Sequence, residues 1–200
     1  MEREDGVAHA PRTGARGLWD RLVGPESTRA ENGLILGYSV VFCTGLLLYT
    51  TIAQPDWTPL QRGVVVLVAF DIAGGIVANT TVSGTRWWHR PAQTRRDHLR
   101  FVAGHLHPFV LAWLFVGLTW ADAAVIYGFL VCGAAVILAT PDDLERPVAM
   151  GVFSVGLLVA LYVVAVPNGL EWFVPFLYLK LLPGHLVDGR RDRKSVAKSR

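Results

Sequence analysis

An all-α membrane bundle of six transmembrane helices, with both termini in the cytoplasm, is the fold class that this 200-residue sequence predicts. Three observations carry that expectation. Hydrophobic residues make up 52% of the chain and charged residues only 18%, too apolar a balance for a small globule that must wet its whole surface. Apolar runs of about 18 to 21 residues recur, each long enough to cross a hydrocarbon core of about 30 Å at about 1.5 Å per residue. The cations, finally, gather between alternate runs.

The runs lie at about 33–53, 63–82, 101–120, 122–140, 148–167 and 169–187. A lipid-exposed backbone has no water for its N–H and C=O groups, so each run is expected to be a helix. The chain then divides into a polar N-terminal segment (1–32), a six-helix domain (33–187) and a basic tail (188–200). Arginines 3, 12, 16, 21 and 29 precede the first run, and Arg86, Arg90, Arg95, Arg96 and Arg100 fill the second connection. Arg146 lies in the fourth connection and six cations in the tail. If the spans alternate, all of the 19 cations except Arg62 and Lys180 fall on one side. The positive-inside rule makes that side cytoplasmic, and the plasma (cytoplasmic) membrane is the expected location. The net charge of +3 then reflects topology and attraction to anionic lipid head groups, not nucleic-acid binding. Membrane lipids are the expected partners, and a homo-oligomer is allowed.

The first 32 residues lack the apolar core of a signal peptide, so the first span is expected to direct insertion. Within them, Leu18, Trp19, Leu22 and Val23 group on one helical side, which suits a short helix lying in the interface and ended by Pro25. Thr28 and Glu31 have the spacing of a capping box that would start the first span. Residues 1–14 and the tail from 189 are expected to be disordered. Cys43 and Cys132 form no redox or disulfide motif and read as buried structural thiols. The stretch 83–100 reads as the longest loop, with Trp87 and Trp88 as an aromatic belt. Its arginines, Arg86, Arg90, Arg95 and Arg96, are candidate binders of anionic head groups.

Ionisable residues inside a span are expensive, about 2.5–3.5 kcal/mol on insertion scales, and each is a candidate for function. Asp71 stands mid-span, and helical rotation puts it on one face with Gly74, Gly75, Ala78 and Asn79. That face is small enough for close helix approach. In span three, His105 and His107 are expected to point in nearly opposite directions, with Pro108 kinking the helix. Depth along straight helices groups Asn79, His105 and His185 in one inner-leaflet layer, sets Asp71 deeper, and leaves His107 nearer to Asp71. In span six, Glu171, Tyr178 and His185 form a stripe, while Lys180 is expected to snorkel toward the cytoplasmic interface.

No nucleotide-binding, hydrolase or metalloprotease motif is present, so the sequence indicates no enzyme class and no cofactor. No metal is expected: His105 and His185 are the only weak candidates for an intramembrane metal hydrolase or a b-type haem, and neither constellation is complete. The expectation is an integral membrane protein with a polar pocket toward the cytoplasmic leaflet, in a structural, regulatory or ligand-binding role. A small proton- or ion-coupled transporter or channel built on Asp71 is the alternative.

Overall fold

The computed structural model describes residues 10–189, so the expected disorder of residues 1–9 and of the tail lies outside the described residues. Among them the chain is all helical. Four helices are long and apolar enough to cross a membrane: α2 (Arg29–Ala53), α3 (Pro59–Thr80), α7 (Trp120–Ala139) and α8 (Glu145–Tyr162). The other six are shorter: α1 (Gly14–Val23), α4 (Val82–Trp88), α5 (Arg95–Ala103), α6 (His107–Leu114), α9 (Phe173–Leu181) and α10 (Pro183–Leu186).

Local sequence sets the starts of these helices. A threonine followed three residues later by Glu, Gln or Asp closes a reciprocal capping box at Thr28–Glu31, Thr58–Gln61, Thr94–Asp97 and Thr119–Asp122. Each satisfies two amides that the first helical turn leaves without carbonyl partners. Thr81 caps α4 through the Gly84 amide.

Two of the expected straight spans are broken. Span three is split into α5 and α6 around Gly104–Leu106, because Pro108 falls in the first turn of a new helix, where its missing N–H costs nothing. Pro108 therefore starts a helix instead of kinking one, and the Gly104 carbonyl accepts from the Leu106 amide at 3.0 Å. Span six is reduced to the nine-residue α9 and the single turn α10, with Pro183 at their boundary. The expected loop 83–100 is mostly helical, in α4 and the start of α5. Residues 10–13 are held rather than loose, since Arg12 clamps Asp20 through its backbone N (2.9 Å), Nε (2.8 Å) and a terminal guanidinium nitrogen (2.6 Å). Cys43 is buried as expected but Cys132 is exposed.

At the centre α9 packs against α3, α7 and α8, while α5 and α6 pack against α7. Helix α9 is buried nearly all round, which suits its apolar sequence. Lipid tails are as apolar as leucine, so close packing and polar pairs, more than water exclusion, hold such helices together. Gly133 lets α7 approach Val152 of α8, and Gly156 lets α8 lie on the Tyr178 ring.

The loops meet at two ends. At one end Arg86 pairs with Glu26 at 2.6 Å, the Trp87 and Trp88 indoles donate to the Arg21 and Leu22 carbonyls, and Arg95 approaches Asp142 at 3.8 Å. His89 donates there to the His185 carbonyl at 3.1 Å. At the other end Trp57 packs on Phe115, Gln61 donates to the Leu114 carbonyl at 3.0 Å, and Asp122 accepts from the Ala165 amide at 3.2 Å.

Candidate functional site

The polar face of α3 is where the described structure concentrates its buried charge. Gly74 meets Ser39 of α2, and Gly75, with no side chain, leaves room for the Lys180 stem of α9 to lie directly on α3. The ammonium then reaches Asp71, 2.5 Å from Oδ2. Asn79, about two helical turns beyond Asp71 on the same face, donates from Nδ2 to the Lys180 carbonyl at 3.2 Å and fixes the backbone that carries the lysine. Lys180 therefore does not snorkel to an interface: its side chain is 3% exposed and its charge is met inside the bundle.

The break between α5 and α6 supplies the histidines. The Nδ1–H of His105 donates to the Phe101 carbonyl at 2.8 Å, since a carbonyl can only accept. Nε2 is then the lone-pair nitrogen, and Lys180 donates to it at 3.1 Å. His107 opens α6 with Nε2 3.7 Å from the same Asp71 oxygen, and its Nδ1 is buried without a hydrogen-bond partner. The two imidazoles lie 5.5 Å apart, centroid to centroid. The opposed directions expected of an i, i+2 pair do not hold, because residues 104–106 are not helical. For the same reason counting depth at a fixed rise fails: one ammonium touches both Asp71 and His105.

The expected layer of Asn79, His105 and His185 is not formed. Asn79 serves Lys180, and the Phe101 ring stands between His105 and His185, with centroid distances of 4.9 and 4.3 Å. His185 instead joins a second cluster, with its Nε2 3.2 Å from His98 Nδ1 and His89 stacked on His98 at 4.9 Å. Burial holds the His98 imidazole below its ordinary value. Among the described residues no group of three or more His, Cys, Asp or Glu side chains could hold a metal ion.

Glu171 and Tyr178 lie apart from this centre. Glu171 accepts from the Gly169 amide at 2.6 Å, and the buried Tyr178 hydroxyl donates to the Ile126 carbonyl at 3.0 Å. Of the four head-group candidates, Arg86 holds Glu26, Arg90 lies 3.7 Å over the Trp87 ring and donates to its carbonyl, and Arg95 faces Asp142. Arg96 is exposed.

Asp71, Lys180 and His105 form one wall of a cavity of about 310 Å³. Trp19, Leu22 and Val23 of α1, Phe70 of α3, Trp88 of α4 and Phe101 of α5 supply its apolar surface. A volume near 300 Å³ with apolar walls and a few convergent polar groups has the character of a small-molecule site. No family model, no curated protein and no solved structure matches the chain.

Sequence reasoning missed Lys180 as a member of the centre, along with the cavity-lining roles of Trp19, Trp88 and Phe101. A signal for the lysine was present: Asp71 and Lys180 each stand in an apolar run, and two opposite charges that both need burial are natural partners. Nothing in the sequence pointed to Trp88 facing inward, since a tryptophan at a membrane edge has the same local pattern either way.

Proposed function

We propose that this chain is a plasma-membrane protein that crosses the bilayer six times with both termini cytoplasmic, and that it couples protons to the binding or passage of a small solute at the Asp71–Lys180 centre. The observation that carries this reading is a buried lysine–carboxylate pair, bonded to a histidine, on the wall of a solute-sized cavity. Such a pair stores exchangeable protons at a depth where charge is costly.

Topology supports the reading. The N-terminal segment, the 81–95 connection, the 140–145 connection and the end of α10 meet at one end of the bundle, and these segments, with the tail that follows, carry nearly all the cations. The two broken passages, α5–α6 and α9–α10, bring His105 and Lys180 to the cavity wall and His107 to the Asp71 carboxylate. Non-helical backbone at membrane depth is tolerated where protein buries it or where it lines a cavity, as in discontinuous transporter helices.

The test is proton flux in reconstituted vesicles loaded with a pH-sensitive dye, under an imposed membrane potential and across a panel of small amines, carboxylates and neutral solutes. Flux above protein-free vesicles with at least one solute is expected, together with its loss in Asp71→Asn/Lys180→Gln. Background flux throughout the panel would remove the transport reading.

A further inference from the structure

Each donor group on the cavity wall already makes at least one hydrogen bond within the protein. Trp19 donates to Asn32 Oδ1, Ser39 to the Ile35 carbonyl, Asn79 to the Lys180 carbonyl, Trp88 to the Leu22 carbonyl, and His105 to the Phe101 carbonyl. Lys180, the one formal cation on the wall, is 3% exposed and donates to Asp71 and His105. Asp71 is different, since its side chain is 43% exposed and only Oδ2 is committed to Lys180 and His107. The wall thus presents a carboxylate oxygen and aromatic side chains. An anion or a hydrogen-bond acceptor would find little to bind.

We infer that the cavity is a binding site for a small organic cation with an apolar or aromatic body, and that the arrival of this cation expels a proton from the Lys180–His105 pair. The inference rests on the reading of the cavity as a solute site. The carboxylate attracts the cationic head, and the rings of Trp19, Trp88, Phe70 and Phe101 supply π faces and apolar contact for the remainder.

Charge balance drives the second half. With Asp71 and Lys180 both ionised the centre is neutral, and a second cation beside one carboxylate would leave a net positive charge in a low-dielectric interior. Loss of one proton restores neutrality. The Nζ–H bond of Lys180 breaks as its proton passes to the lone pair on His105 Nε2, while Nδ1–H stays on the Phe101 carbonyl. The imidazolium then yields its Nε2 proton to water, leaving a neutral amine and a neutral imidazole. The cation takes the place of the ammonium as the partner of Asp71. The other titratable groups that bear on Lys180 are His107, from the start of α6, and His185, from α10.

The experiment uses the full chain in lipid nanodiscs and benzyltrimethylammonium, whose permanent charge cannot itself supply a proton. Saturable binding is expected, with release of about one proton per bound cation in weak buffer near neutral pH. Phenylacetate and benzyl alcohol are expected not to compete. The Asp71→Asn/Lys180→Gln variant leaves no orphan charge and should melt near the parent, bind at least about tenfold more weakly, and release no proton. Were that variant to unfold, the proton count on the parent chain would still decide. Binding without proton release overturns the coupling. Preferential binding of phenylacetate or benzyl alcohol overturns the cation assignment but leaves a solute site. Failure of all three to bind overturns the inference, and the vesicle panel then judges transport separately.

Discussion

Gly75 lies so close under Lys180 that a methyl group in place of its hydrogen would sit 2.3 Å from Lys180 Cε and 2.9 Å from Cδ. The whole lysine stem runs over this one position, and it is almost wholly buried there. The glycine is therefore what allows an ammonium from α9 to meet a carboxylate on α3.

Gly75→Ala should push the lysine stem off α3 and loosen its bond to Asp71, with a loss of about 1–3 kcal/mol of stability, the usual result of overpacking a filled interior. Thermal unfolding in detergent reads it. A melting temperature equal to the parent's would show that the α3–α9 contact is softer than the geometry indicates. Gly33, on α2, has open space beside it, and Gly33→Ala is the matched control with little expected effect.

The Asp71–Lys180 pair should behave as a unit. Lys180→Met alone leaves a carboxylate without its cation, and Asp71→Asn alone leaves a buried ammonium. Each should cost about 3 kcal/mol, toward the lower end for buried pairs because Asp71 faces the cavity. The Asp71→Asn/Lys180→Met double variant should recover most of that loss, and a double-mutant cycle by reversible unfolding measures it. Additive losses would mean that the two charges are not coupled.

His98, in the 83–100 stretch that precedes the third apolar run, predicts a pH effect of its own. Burial against His185 and His89 keeps its folded imidazole below the ordinary value of 6.5, although Asp97 and Asp188 act in the opposite direction. Between the folded and unfolded values the unfolded chain binds a proton that the folded chain does not, so stability should fall as pH drops below about 6.5. Melting curves at decreasing pH should show the decline, and His98→Leu should flatten it. An unchanged slope in the variant would assign the effect to other groups.

Helix α1 should come loose in acid by a separate route. The Arg12 guanidinium holds the Asp20 carboxyl below its usual range. The stability this contributes is complete above the unfolded carboxyl value, about 4, and is lost as pH falls through the lower folded value. Hydrogen exchange of the α1 amides should be slow near neutral pH and faster in Asp20→Asn. Trp87→Phe, which removes the indole bond to the Arg21 carbonyl at 3.0 Å, should speed the same amides. Protection unaffected by either change would mean that α1 is held by apolar contacts alone.

Much of the architecture was legible locally. The capping box at Thr28 and the close-packing face of α3 were both readable, because short-range periodicity and side-chain-to-amide bonds specify them. The same threonine signature at Thr94 and Thr119 also marks helix starts. Read there, it would have begun α5 inside the supposed loop and ended span three before residue 119. The break at Gly104–Leu106 was harder, since a proline eight positions into an apolar run fits both a kinked helix and the first turn of a new one.

By itself the sequence determined an all-helical chain with apolar segments of membrane-crossing length, and the isolation of Asp71 among small residues. Apolar run length, capping and the charge asymmetry are properties of neighbouring residues, and they survive without knowledge of what packs where. Only the tertiary structure decided that Lys180 is the partner of Asp71, that His105 and His107 converge on that pair, and that Trp19 and Trp88 line a cavity. The bonds of Lys180 join residues 75 and 109 positions apart, and the convergence of the histidines turns on one non-helical junction. Both depend on how α3, α9 and the α5–α6 break are set against one another, which no local pattern encodes.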